Sequence, residues 1–167
     1  MQRNQKGFTL IEITVVLVLM AIISAYVIGR SLNTEQIDLA AQTDKIRNQI
    51  RYAQAAAMKQ YDQDLNVWGM KCDASPNEYW LFEGQNQDDA ARQIPIPGEQ
   101  NLKISLADLG VDSMSAFTIF FDRIGKPYSA YTDETTNIPL DNVLTITISA
   151  GGQSRTITVT PETGLVR

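Results

Sequence analysis

From residue 8 to residue 29 the chain is apolar almost without a break. Small hydroxyls (Thr9, Thr14, Ser24) and Tyr26 dilute the run, no lysine or arginine enters it, and its one carboxylate is Glu12. About 22 residues rising 1.5 Å each make a helix of roughly 33 Å, close to the hydrocarbon thickness of a bilayer. The run therefore predicts a transmembrane helix. A carboxylate near one end of such a helix is costly in lipid, so Glu12 calls for a partner.

Past Gly29 the pattern changes but the helical period continues. Leu32, Leu39, Ile46, Ile50, Ala53 and Ala57 recur at spacings of three, four or seven, with Glu35, Asp38, Asp44, Lys45, Arg47 and Lys59 between them. No proline occurs before Pro76, so one helix is expected over residues 8–60, apolar all round at first and amphipathic afterwards. The alanines at 53, 55, 56 and 57 favour close packing on a sheet over a coiled coil. Arg47, Arg51 and Lys59 read as a solvated face.

Residues 65–71, 78–83, 102–106, 117–122, 143–149 and 155–160 are rich in β-branched and aromatic side chains and predict strands. The last two alternate cleanly, as Thr-Ile-Thr-Ile at 145–148 and Thr-Ile-Thr-Val at 156–159, around Ala150-Gly151-Gly152-Gln153. That is a hairpin with one apolar and one polar face. Residues 85–93 and 132–142 are polar and expected as loops, and Ile94-Pro95-Ile96-Pro97 is held extended by its prolines. The fold class is α+β: a long N-terminal helix, transmembrane then amphipathic, packed on antiparallel β-sheets. Its divisions are residues 1–7, 8–29, 30–62 and a β-rich globular domain at 63–167.

The first seven residues carry two cations, Arg3 and Lys6, and no acid. Positive charge ahead of a membrane helix keeps that end in the cytoplasm, so the domain after Arg30 is expected outside. The apolar run is too long for an ordinary secretory signal, and no small-x-small cleavage site follows it. A cut between Gly7 and Phe8 would instead retain the helix and place a new amine one turn from Glu12. At this point Gly7-Phe8-Thr9-Leu10-Ile11-Glu12, with its basic leader and uninterrupted apolar run, resembles the class III signal of type IV prepilins and type II secretion pseudopilins. The resemblance implies cleavage after Gly7 by a prepilin peptidase and methylation of the Phe8 amine. It further implies a single-pass inner-membrane protein with a periplasmic domain, assembled through Glu12 with other pilin subunits and an assembly platform protein. The family often carries proline where this chain has Gly29, which weakens a helix by up to about 1 kcal/mol.

Composition narrows the chemistry. With the membrane helix set apart, the 167-residue chain retains enough sequence for one small domain. The formal charge of −5 includes the two leader cations, so the mature side chains sum to −7. Such a surface argues against broad phosphate binding, and DNA is not expected as a partner. Histidine is absent and Cys72 is the only cysteine, which removes His-based catalysis, imidazole metal sites and an internal disulfide. Asp122, Asp133, Glu134 and Asp141 are the acids that could approach calcium, but their spacing fits no ligand motif. Gly151-Gly152 is a turn rather than a phosphate loop. No catalytic residue, metal or cofactor is expected.

The outer domain adds a second resemblance. Arg51-Tyr52-Ala53-Gln54-Ala55-Ala56-Ala57-Met58-Lys59, then the stretch from Ile119 through Asp122-Arg123-Ile124-Gly125-Lys126 to Pro127, and the closing Thr163-Gly164-Leu165-Val166-Arg167 are similar to the GspH/FimT group of minor pseudopilins and pilins. That resemblance implies two β-sheets beyond the helix and a low-copy subunit at the filament tip, and the first hypothesis is a minor pseudopilin of the type II secretion pseudopilus. Two alternatives stay open: a FimT-like minor pilin for DNA uptake, with Arg155 and Arg167 as candidate DNA contacts, or a pilus subunit. The DNA-capturing relatives usually carry a further arginine where this chain has Leu165.

Overall fold

The computed structural model of the chain describes residues 9–59 and 67–167, with the side chains of helical residues 27–37 outside the description. One α-helix, α1, runs Leu10–Lys59. Thr9 starts it: its carbonyl accepts from the amides of Glu12 (3.1 Å) and Ile13 (3.3 Å), and its Oγ1 lies 3.4 Å from the Glu12 amide. A threonine at this position satisfies an amide that the first turn would otherwise leave open.

The chain divides into two compact units, Met1–Ile37 and Asp38–Arg167. In the first, the large apolar side chains from Leu10 to Tyr26 are 47% to 82% exposed, with no face of the helix covered. Among the described residues no helix is long and apolar enough to cross a membrane. The span expected over residues 8–29 thus falls short within the description, because Phe8 and the side chains of residues 27–29 lie outside it.

The second unit has a conventional core. Leu39, Thr43, Ile46, Ile50, Ala53 and Ala57 form the buried stripe of α1, alternating by four and three. Thr43 is the polar member, and its hydroxyl donates to the Leu39 carbonyl at 2.7 Å, so its burial leaves no proton unpaired. The strands are β1 (Val67–Asp73), β2 (Glu78–Glu83), β3 (Gln93–Ile94), β4 (Lys103–Ser105) and β5 (Ser113–Met114). They continue with β6 (Phe117–Asp122), β7 (Pro127–Tyr131), β8 (Asn137–Pro139), β9 (Leu144–Ala150) and β10 (Gln153–Val159). The larger sheet has the order β3-β2-β1-β6-β7-β8, with β4 also paired to β2, and the smaller one is β10-β9-β5. All pairings are antiparallel, as the sequence pattern led one to expect.

Alternation assigns the faces. On the larger sheet Trp68, Met70, Cys72, Tyr79, Leu81, Ile119 and Phe121 join the stripe of α1, together with Ile146, Ile148, Ile157 and Val159 of the smaller sheet, in one core. The opposite face buries a second cluster of Val67, Trp80, Phe82, Phe120 and Tyr131. Gly69 lies between Phe82 and Phe120 in register, and those rings meet edge to face at 5.1 Å. A Cβ at Gly69 would overlap the Phe82 ring and the Ile119 carbonyl, so a side chain there is excluded. The β9–β10 hairpin turns on Gly151 and Gly152, both at positive φ, as a two-residue turn of this twist requires.

The sequence pattern differs from the structure in the short strands. β8 lies inside the 132–142 segment expected to be loop, and β3, β5 and β7 were not anticipated. Two or three residues (β3, β5, β8), or five that open on a proline (β7), carry too little periodicity to register as a strand; their pairing partners create them.

Candidate functional site

The exposed apolar segment at residues 10–26 is the most unusual surface of the molecule. Two of its hydroxyl side chains bond back to the helix backbone. Thr14 donates its hydroxyl to the Ile11 carbonyl at 2.8 Å, and Ser24 donates to the Met20 carbonyl at 2.7 Å. Each hydroxyl is thereby satisfied within the helix itself, as an apolar medium demands. Glu12 is different. It sits in the first turn, where the helix dipole favours a negative charge. Its carboxylate has no hydrogen-bond or ion-pair partner among the described residues. An uncovered apolar helix can be covered only by lipid or by other chains, and a carboxylate carried into such surroundings is costly without a partner. Gly7 and Phe8, the expected cleavage and methylation positions, lie outside the described residues.

A second constellation joins the three stretches singled out in the outer domain. Gln54 of α1 donates through Nε2 to the Gly125 carbonyl (2.9 Å) and to the Thr163 carbonyl (3.0 Å). One turn earlier, Arg51 donates to the Val166 carbonyl through Nε (3.2 Å) and one terminal nitrogen (2.7 Å). Arg51 is exposed, as expected of a solvated face, and its guanidinium in addition pins residues 163–167 to the helix. Arg47 is likewise partnered, by Asp44. Gly164 has φ +60°, and a Cβ there would press on Gln54 Nε2, the Gly125 carbonyl and the Phe121 ring. Asp122 closes the adjacent turn by accepting from the amides of Ile124 and Lys126, each at 2.9 Å. Arg51, Gln54, Asp122, Gly125 and Gly164 thus form one clasp, and the sequence placed them only in three separate stretches.

The candidate DNA contacts are not brought together. Arg155 has the strand parity of buried Ile157 and Val159, whereas Arg167 pairs through its backbone with Thr158, on the opposite face. Both side chains are exposed.

Among the described residues no three carboxylate or thiol groups converge as a metal set. Asp133, one of the acids weighed for calcium, spends Oδ1 on the Thr135 hydroxyl and amide (2.7 Å each) and on the Thr136 amide. Those bonds hold its carboxyl below the usual range. Cys72 is buried, and desolvation, with Asp73 beside it, pushes its thiol up to about 12, far from the ionisation a nucleophile needs.

Residues 2–28 match the family model for the prokaryotic N-terminal methylation motif, the signal of type IV pilins and pseudopilins. Comparison with curated proteins and with solved structures gave no match. The motif supports a type IV pilin-like or pseudopilin subunit, and it implies processing by a prepilin peptidase and association with other pilin subunits. The helix followed by antiparallel sheets is a pilin-like α+β architecture.

Proposed function

We propose that the protein is a minor pseudopilin, a structural subunit that helps initiate or tip the type II secretion pseudopilus and so supports export across the outer membrane. The observation that carries this reading is the uncovered apolar helix with its lone Glu12, which together lie within the methylation motif at residues 2–28. In this reading residues 8–29 anchor the precursor in the inner membrane, with residues 30–167 in the periplasm. The peptidase cuts between Gly7 and Phe8, and the Phe8 amine is methylated. Glu12 then pairs with the Phe8 amine of a neighbouring subunit and sets the register of the filament. A charged carboxylate in the bilayer costs at least about 2.5 kcal/mol, which this pairing partly offsets. The proposed role is assembly, without a catalytic step or a bound cofactor. The GspH/FimT grouping draws its support from the clasp, where the three stretches that carry that resemblance meet.

A deletion strain complemented with wild type, Glu12→Gln and Glu12→Leu tests the proposal. Both variants should insert and be cleaved, and both should fail to restore secretion, because an apolar helix alone slides along its neighbours without preferred register. Normal secretion by cleaved Glu12→Leu would remove Glu12 as the register device. A deletion that abolishes DNA uptake and leaves secretion intact would move the protein to the uptake pili.

A further inference from the structure

Beside β7 and β8 lies a cleft of about 220 Å³ lined by Asp122, Tyr128, Tyr131, Glu134 and Asn137, with the exposed Arg123 and Ile124 at its mouth. Of its lining residues only Asp122 also belongs to the clasp, through Oδ1. Its polar groups are biased toward acceptors. The Tyr128 hydroxyl donates to Asp122 Oδ2 at 3.0 Å, so its own lone pairs remain to accept. Asn137 spends Nδ2 on the carbonyls of Asp133 (3.1 Å) and Glu134 (2.9 Å), which leaves its Oδ1 as an acceptor. The Tyr128 and Tyr131 rings stand edge to face, 5.2 Å apart and at 83°; Tyr131 is buried in the aromatic cluster, so the aromatic surface open to the cleft is mainly that of half-buried Tyr128.

The charge acts in the same direction. Burial, then Glu134, Asp122 and Asp133, hold the Tyr131 hydroxyl above its ordinary value, and Arg123 opposes them. Three carboxylates therefore act on this site against one guanidinium. Two of the carboxylates are also committed to their turns: Asp122 Oδ1 holds two amides, and Asp133 Oδ1 holds Thr135 and Thr136. A bare metal ion, which needs several oxygens converging freely, is a poor fit. A planar cation that donates several hydrogen bonds and stacks on aromatic rings is a good one.

We propose that this cleft receives the guanidinium of an arginine carried by another protein chain. Tyr128, Asn137 and Asp122 Oδ2 accept its N–H groups, and it lies against the Tyr128 ring, which passes the contact on to Tyr131. Ile124, 71% exposed at the mouth, then packs on an apolar residue next to that arginine. The inference goes beyond the assembly role and stands whether the filament serves secretion or uptake.

The test is a titration of the full-length protein in detergent micelles, read by NMR at the Tyr128 and Tyr131 rings. The probes are acetyl-arginine methylamide, its neutral citrulline counterpart, choline, and the dipeptide acetyl-Arg-Leu-amide. The arginine probe should shift both rings, and citrulline should bind about tenfold more weakly because it lacks charge-assisted bonds. Glu134→Gln should weaken arginine binding about twofold to fivefold, as expected of an exposed charge. Tyr128→Phe should also weaken it while leaving the amide spectrum native, and Arg123→Ala should tighten it. The dipeptide should bind more tightly than the methylamide, with the gain lost in Ile124→Ser. Equal binding of arginine and citrulline, or undisturbed tyrosine rings, would overturn the proposal. So would choline binding as well as arginine, since it donates no hydrogen bond. Equal affinity for the two arginine probes would assign the cleft to a free cation and overturn its reading as an interface.

Discussion

A single side chain, or its absence, decides several features of this molecule. Gly69 is the sharpest case, because the space its Cβ would occupy belongs to the Phe82 ring and the Ile119 carbonyl. The carbonyl is part of a paired strand and cannot retreat. Gly69→Ala should therefore lower stability by about 1–3 kcal/mol, the usual cost of overpacking a core, as read by chemical denaturation. An unchanged midpoint would mean that the aromatic face of the larger sheet is looser than its contacts indicate. Cys72 gives the opposite kind of prediction. Its thiol is buried and stays protonated well above neutral pH. Iodoacetamide at pH 8 should leave it unmodified in the folded protein and label it in denaturant, with the adduct counted by intact mass. Rapid labelling of the native protein would contradict its burial.

Among elements, α1 has two different tasks. From Leu10 to Tyr26 its surface is uncovered, whereas from Leu39 to Ala57 one stripe lies in the core. Beyond that stripe, Arg51 and Gln54 reach from the helix to the β6–β7 turn and to residues 163–167. Gln54 makes two bonds to main-chain carbonyls, each contributing about 0.5–1.5 kcal/mol. Gln54→Ala should thus cost about 1–3 kcal/mol, and amide exchange should rise first at Gly164 and Leu165. Uniform exchange across the unit would show that the clasp is not a local fastening. Gly164→Ala should act in the same direction, through strain at φ +60° and crowding of Gln54.

For the whole molecule, charge and proton binding make the testable statements. Cys72 and Tyr128 hold their protons more tightly folded than unfolded: from 9.0 to about 12 for the thiol and from 10.0 to about 12 for the phenol. Burial is the first cause in both, followed by Asp73 for the thiol and the bond to Asp122 for the phenol. Tyr79, buried and bonded to Gln49, is shifted in the same direction. Stability from these groups is complete below about pH 9 and drains away as pH climbs toward 12. Thermal melts between pH 8 and 11 should show a falling Tm whose onset shifts up by the Cys72 contribution in Cys72→Ala. A flat profile over that range would refute the burial of these protons. The acidic surface leads to a second expectation. With Arg155 and Arg167 on opposite faces and the mature side chains at −7, duplex DNA should bind weakly or not at all at physiological salt. Micromolar affinity in a fluorescence titration, abolished by Arg155→Ala or Arg167→Ala, would restore the uptake reading.

Periodicity by itself determined the long helix, its change from uniformly apolar to amphipathic, and the face that α1 turns inward. It also determined the β9–β10 hairpin with its glycine turn and the larger strands, because each of these repeats for long enough to outweigh competing propensities. The methylation signal was legible for a related reason: a basic leader, Gly7-Phe8 and an isolated Glu12 before an apolar run form one contiguous pattern. Position along the chain could not reveal what depends on residues far apart meeting. β3, β5, β7 and β8 exist because neighbouring strands pair with them, and the clasp because Gln54 lies beside Gly125 and Thr163 across 71 and 109 residues. Arg51 is the exposed cation its position implies, but the Val166 carbonyl it holds lies 115 residues away. The same holds for the cleft of Asp122, Tyr128 and Asn137, whose acceptor character depends on which donors are consumed by neighbours. Local patterns encode elements, whereas hydrogen-bond partners and burial are properties of the packed chain, and only the tertiary structure decides them.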